Sequence, residues 1–244
     1  MSQIIIDTDR SLNYETNSLT KRIMNFFLVP ILNLLPKGVQ PMLRKSHKSA
    51  DDIIEHATTH KALEILYGHS SAKVSGSLIQ NFFKSIWLST NNSKAVRNRL
   101  KLVKREMEKK MRSLISLGKP ISIVSIASGS SRAIAESINK MSFEKDSKPS
   151  VIFVDKNYDA ISYSQDLTKD HKYRANFEWI HDTAGSFFRV HANGRKFNII
   201  EMVGLMDYFN DEKAIYIFSQ IYTALNSEGI LITANIDDNK ERPF

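Results

Sequence analysis

The sequence predicts an α/β chain, with a doubly wound, mostly parallel sheet of the Rossmann-like kind preceded by an all-helical region. Three observations predict it. After Pro120, short apolar runs alternate with amphipathic segments, which is the rhythm of strands joined by crossover helices. Before Gly118, apolar residues recur three or four apart, which is a helical period. Charge divides at the same place: residues 1–118 carry 19 Lys and Arg against 9 Asp and Glu, a net of +10, and residues 119–244 carry 15 against 17, a net of −2. We therefore expect an all-helical region over 1–118 and a sheet domain over 119–244.

Composition bounds the class. In 244 residues, 42% are hydrophobic and 25% charged, with nine Gly and six Pro, so the chain folds around a core rather than remaining disordered. Cysteine is absent, which excludes disulfides, thiolate nucleophiles, Cys-ligated zinc and iron–sulfur clusters. No basic start followed by an apolar stretch and a small-residue cleavage site opens the chain. Both features point to the cytoplasm.

Segment 18–36 is apolar but broken by Asn25, Pro30 and Asn33. Its apolar part of about 14 residues is short of the roughly 20 that cross a bilayer. It reads as a helix pair buried in the core, or as an interfacial segment with Lys21 and Arg22 at headgroups. A helix follows over 49–68, with Ser49 as N-cap, Asp51 and Asp52 in the first turn and Gly68 as stop. Another runs over 76–88 and closes at the turn-prone stretch Thr90–Ser93. The helix over 93–118 is strongly basic, with nine Lys and Arg against two Glu between 94 and 112. Val96, Leu100, Val103, Met107, Met111 and Leu114 give it one apolar face.

Strands are then expected over 121–128, 151–155, 175–182, 197–204 and 229–236, with helices over 130–141, 157–167 and 211–226. The alternation calls for a helix between the third and fourth strands, where residues 183–196 leave it unassigned. The last strand is apolar on both faces, as an interior strand is, yet only eight residues follow it. We expect either that the sheet is cut short after its fifth strand or that another copy of the chain covers this edge.

In such a sheet, ligands sit at the carboxyl ends of strands where connections diverge. Four strand ends matter. Residues 125–132, Ser-Ile-Ala-Ser-Gly-Ser-Ser-Arg, form a small-residue turn that lets backbone N–H groups approach an anion, or lets a helix pack closely. Asp155 ends the second strand, where a carboxylate accepts from both ribose hydroxyls or caps a helix. Asp182, with Thr183, ends the third, as an acceptor for an adenine amino group or as a turn residue. The stretch 201–208 ends the fourth, with apolar side chains to cover an adenine ring.

This order of turns resembles the class I S-adenosylmethionine-dependent methyltransferases over roughly residues 119–238. In their first motif an acidic residue precedes three spaced glycines. Here Ser125 takes the acidic position, Ala127 the first glycine and Ser131 the last, and only Gly129 is retained. The resemblance implies S-adenosylmethionine as cofactor. It would be bound by Ala127, Ser128 and Gly129, by Asp155 with Lys156, by Asp182 with Thr183, and by Met202 with Val203. It also implies two further strands. Residues 204–214, 226–236 and 96–106 resemble, more narrowly, the methyltransferases assigned to synthesis of a hydroxypalmitic acid methyl ester, which also carry a helical N-terminal region. That resemblance implies methyl transfer to the carboxylate of a hydroxylated fatty acid or related acyl compound, with the helical region over 1–118 shaping the acceptor pocket.

A carboxylate acceptor is ionised at neutral pH and requires no general base, and the sequence offers none. Asp207 and Tyr208, just past the fourth strand, either face the transferred methyl group or pack and cap a helix start. His56 and His60 have a metal-ligating spacing, but no third ligand is near, and we expect no metal. The basic helix suits a nucleic-acid backbone, an anionic membrane surface or a solvated face. No aromatic residues interleave with its charges, which argues against single-stranded RNA. Rivals to the small or acyl acceptor are an RNA methyltransferase and a degenerate cofactor-binding scaffold. A nicotinamide-dependent oxidoreductase ranks last, because three spaced glycines are missing.

Overall fold

The computed structural model describes residues 9–19, 23, 26–27, 34, 60–67, 90–144, 147–172 and 174–235. The expected helices over 18–36 and 76–88 fall largely outside these residues. So do the first part of the helix over 49–68, with His56, and the last residues from 236 on.

Helix α1 is His60–Tyr67 and helix α2 is Asn91–Ser116. Thr90 caps α2 by accepting from the Ser93 amide at 3.3 Å, so the expected turn at 90–93 is in fact the helix start. Gly118, at φ +61, ends α2 in the left-handed conformation that glycine enters without strain. There follow β1 (Ser122–Ile126), α3 (Arg132–Lys140), β2 (Ser150–Asp155), α4 (Tyr158–Thr168) and β3 (Asn176–His181). The chain closes with β4 (Phe197–Val203), α5 (Asp211–Ala224) and β5 (Leu225–Ala234). The strands form one parallel sheet in the order β3-β2-β1-β4-β5. The direction of winding reverses between β1 and β4, so their carboxyl ends open a crevice there.

Residues 183–196, left unassigned from sequence, fold as one α turn, Ala184–Ser186, that runs on into a π-helix, Phe187–His191. Phe187 and Phe188 are buried from this segment, so it covers the sheet as a longer helix would. The fifth strand starts four residues before the expected position. Leu225 pairs with Phe197 and Ile230 with Ile199, so Asn226–Gly229 bulge outward. Gly229 permits this, because a Cβ there would lie 2.8 Å from the Phe197 carbonyl oxygen.

Alternation along the strands divides the core into two layers. Ile123, Val151, Phe153, Ile199 and Ile232 point to one face and pack with Ile134 and Ile138 of α3. The apolar stripe of α2 joins them, with Val103, Met107, Met111 and Leu114 all but inaccessible to solvent. Val124, Ile126, Ile152, Ile200 and Met202 point to the other face, beneath Phe187, Phe188 and Ile217 and Ile221 of α5. The basic helix is therefore a layer of the sheet's own core.

Most of its charges are occupied as well. Arg97 holds Glu15 through two bonds of 2.7 Å, Lys94 reaches the Thr16 carbonyl at 2.9 Å, and Lys101 reaches the Asn13 carbonyl at 2.6 Å. Arg105 pairs with Asp9 at 3.1 Å, and Lys104 pairs with Glu136 of α3. All but the last of these bonds clasp residues 9–17 along α2.

Candidate functional site

The turn between β1 and α3 crosses the crevice. Ala127, Gly129 and Ser131 all have positive φ, at 53°, 52° and 56°. These are the three alternate positions where the sequence comparison expects glycine. The backbone thus adopts the glycine conformation even where Ala and Ser stand, at a strain of roughly 1 kcal/mol for each L-residue. Local bonds hold it there: the Ser128 amide donates to the Val154 carbonyl at 3.0 Å and the Ser131 amide to the Ser128 carbonyl at 2.8 Å.

Asp155 completes the turn. Its Oδ2 accepts from the Gly129 amide and its Oδ1 from the Asn157 amide, both at 2.9 Å. The side chain is therefore fixed, and each oxygen keeps a further lone pair for a ligand hydroxyl. The Asp182 amide donates to the Asp155 carbonyl at 3.0 Å, so Gly129, Asp155 and Asp182 are joined in succession across three strand ends.

The Asp182 carboxylate is occupied locally. A bond from Ser186, joined by the Thr183 amide at 2.7 Å and His191 at 3.4 Å, holds its pKa below the ordinary value against the opposing effect of burial. Thr183 accepts from the Ser186 amide at 3.3 Å and caps the segment that follows. Lys156 is exposed, and its carbonyl accepts from the ring Nε2–H of His181 at 3.0 Å. Met202 is fully buried beneath α5, so only its backbone is available to a ligand. Asp207 accepts from Asn235 at 2.9 Å, and Tyr208 is 61% exposed.

On the α2 side of the turn lies a cavity of about 480 Å³, its open mouth included. Ala127, Ser128, Gly129 and Val203 line it, and Asp155, Lys156, Asp182, Thr183 and Met202 do not. Also on the wall are Leu63 and Tyr67 of α1 and Arg99 of α2, which the sequence did not single out, and Arg132 of α3 and Glu201 of β4, which fall within stretches it named but received no role of their own there.

Helix α1 roofs the turn. Leu63 Cδ1 lies 3.6 Å from where a Gly129 Cβ would stand. Next to it, Glu64 accepts from Arg132 Nε at 2.9 Å and from the Tyr163 hydroxyl at 2.6 Å, and Arg132 also reaches Glu136 at 3.1 Å. Burial works to raise the Glu64 pKa, but the bonds from Arg132 and Tyr163 outweigh it and hold the carboxylate below its ordinary range. Burial and the bond to Glu64 push the Tyr163 phenol up to about 12.

Two ionisable groups stand deeper. Burial pushes Tyr67 above its ordinary value, against the charge and hydrogen bond of Arg99. Desolvation pushes Glu201 up to about 7, against a bond from Ser125 and the charge of Arg99. The alternation of β4 contained a signal for Glu201. It shares with Ile199 and Val203 the face that packs beneath α2 and α3, and a carboxylate is rare there without a purpose. Arg99, Glu64 and Tyr67 gave no such signal, because they sit on helices where charged and polar residues are ordinary.

Three buried polar atoms of the wall, Arg99 Nε, Ser128 Oγ and Ser131 Oγ, have no hydrogen-bond partner. Buried polar groups are nearly always satisfied, so a wall with three orphans fits a polar ligand. Among the described residues no cluster of three or more His, Asp or Glu is arranged to hold a metal, and no helix is long and apolar enough to cross a membrane.

No family model matches the chain, and no curated protein matches it in sequence. Among solved structures it is similar to a possible exported protein from Bordetella parapertussis, at 13% identity, over 72% of this chain and 53% of that one, with a TM-score of 0.54. The chain thus spans about half the length of that structure. It is also similar to the S-adenosylmethionine-dependent methyltransferase from Agrobacterium tumefaciens, at 14% identity over 57% and 44% of the two chains, with a TM-score of 0.41. For TehB from Haemophilus influenzae the identity is 11%, the coverage 51% and 39%, and the TM-score 0.38. These are likenesses of fold: the chain has a Rossmann-like α/β fold with five parallel strands.

Proposed function

We propose that the chain is an S-adenosylmethionine-dependent methyltransferase acting on a small or lipid-like acceptor, with the carboxylate of a hydroxylated fatty acid as the specific candidate. One observation carries this reading. The β1–α3 turn holds left-handed backbone at 127, 129 and 131, and the acid ending β2 grips its centre through the Gly129 amide. That pairing presents a close-approach backbone surface and a fixed carboxylate side by side, which is what an adenosyl group with two ribose hydroxyls requires.

When bound, the cofactor supplies an already activated methyl group, so the protein's work is alignment and the exclusion of water. Asp155 accepts the ribose hydroxyls with its spare lone pairs. The turn and Val203 flank the ligand, and the backbone of Met202 borders it. Leu63 and Tyr67 of α1 close the site from above. An acceptor carboxylate attacks without a proton transfer, and among the described residues no histidine lines the cavity to act as base.

The engagement of Lys94, Arg97, Lys101, Lys104 and Arg105 within the protein favours this acceptor over RNA, since few charges of α2 are left to track phosphates. In this reading the enzyme works in the cytoplasm, touching a membrane surface where an acyl acceptor is presented, and a second copy covers the outer edge of β5. Calorimetry with S-adenosylmethionine and S-adenosylhomocysteine tests the class. Binding of both at micromolar concentration is expected, and binding of neither overturns the reading.

A further inference from the structure

Cavity-lining Glu201 and Arg99 present opposite charges that are each incompletely partnered. The parallel register sets Glu201 of β4 beside Ser125 of β1. Ser125 donates its hydroxyl to Glu201 Oε2. Among the described residues Oε1 has no hydrogen bond, although a buried carboxylate ordinarily recruits several donors. Across the wall, Arg99 Nε is buried without a partner. The guanidinium is set in place by Gly204, where a Cβ would lie 3.0 Å from one of its terminal nitrogens. Its charge acts on both Glu201 and Tyr67.

A free carboxylate oxygen that seeks a donor and a guanidinium N–H that seeks an acceptor, on the wall of one cavity, form a site for a zwitterion. With Glu201 ionised, a simple anion would be repelled by it, and a simple cation by Arg99. A ligand end that carries an ammonium and a carboxylate on one carbon satisfies both. We propose that Glu201 and Arg99 grip the α-amino-acid end of the ligand, with Glu201 accepting from its ammonium and Arg99 donating to its carboxylate. Ser125 and Glu201 then act as a pair: the residue in the position where an acid is expected on β1 is a serine, and the carboxylate reaches the same face of the sheet from the neighbouring strand.

This inference rests on the proposed cofactor, and its test separates the two. The probes are S-adenosylhomocysteine, which carries the amino-acid end, and 5′-methylthioadenosine, which lacks it. Each is titrated calorimetrically at pH 8 into wild type, Glu201→Gln and Arg99→Gln, with a thermal melt to show that each variant is folded. Wild type is expected to bind S-adenosylhomocysteine more tightly. Each variant should lose roughly 10- to 100-fold of that affinity, the worth of one charge-assisted bond, while its affinity for 5′-methylthioadenosine stays within about twofold. If wild type binds both probes equally, or if folded Glu201→Gln keeps full affinity for S-adenosylhomocysteine, the zwitterion grip is wrong and the adenosyl site stands. If wild type binds neither probe, both readings fall. If a variant loses both probes alike, its residue shapes the whole pocket and the assignment is overturned.

Discussion

Ser125 and Glu201 stand directly opposite one another on the parallel strands β1 and β4, and the serine hydroxyl donates to the glutamate. Both lie on the face that α2 and α3 cover, and among the described residues this carboxylate receives one hydrogen bond, from that hydroxyl. Glu201 therefore keeps a proton at a pH where an ordinary glutamate has lost it.

This sets a pH dependence of stability. The folded-state pKa of Glu201 is about 7 and its ordinary value 4.5, so between these limits the folded protein binds more protons than the unfolded one. Its contribution to stability is greatest at low pH and declines as pH rises from 4.5 to 7. With allowance for the surface the side chain exposes to the cavity, the loss is on the order of 2 kcal/mol. Glu201→Gln should remove this slope and melt higher than wild type at pH 8, as measured by calorimetric melts from pH 5 to 8 without ligand. Identical slopes would show that Glu201 ionises normally.

The left-handed residues of the β1–α3 turn give a second prediction. Ala127→Gly and Ser131→Gly should each stabilise the protein by about 0.5 kcal/mol, since relief of strain exceeds the added freedom of the unfolded chain. The gain should be larger at Ser131, whose buried hydroxyl has no partner. Gly129→Ala should cost about 1 kcal/mol from its φ of +52°, with only an ordinary contact to Leu63. Urea denaturation of the three variants reads these signs directly.

Glu64 ties α1 to α3 and α4 through Arg132 and Tyr163. Glu64→Ala removes three or more bonds at once and leaves Arg132 with Glu136 alone. We expect faster proteolysis within 60–67 and an S-adenosylhomocysteine dissociation rate raised about tenfold, measured by stopped-flow, because the roof over Gly129 is loosened. An unchanged rate would mean that α1 does not gate the cavity.

Asp155→Ala removes the acceptor for two backbone amides and the proposed ribose contacts together. Stability should fall by about 2 kcal/mol and cofactor affinity by at least tenfold. Asp155→Asn, which keeps an acceptor for one amide, should recover most of the stability and little of the affinity. Chemical denaturation beside calorimetry separates the two effects.

Helices and strands were legible in the letters where a local period was clean. The basic helix, the five strands and the three crossover helices all follow from spacings of two or of three to four residues, and the turn at 127–131 from its run of small side chains. Residues 183–196 were not legible, because a π-helix that buries two adjacent phenylalanines has no simple period. The start of β5 was hidden by a bulge that depends on the closeness of Gly229 to Phe197.

What the sequence by itself determined is thus the alternation of elements, the place of the crevice at the strand ends, and the acids Asp155 and Asp182 at the ends of β2 and β3. Only the tertiary structure decided which groups face the cavity. Ser125 and Glu201 are 76 positions apart and meet because β4 inserts beside β1. Arg99 and Tyr67 arrive there because α2 and α1 pack over the same strand ends. Such meetings depend on strand order and helix docking, which are set by the burial of the whole apolar surface and leave no local trace in residue spacing.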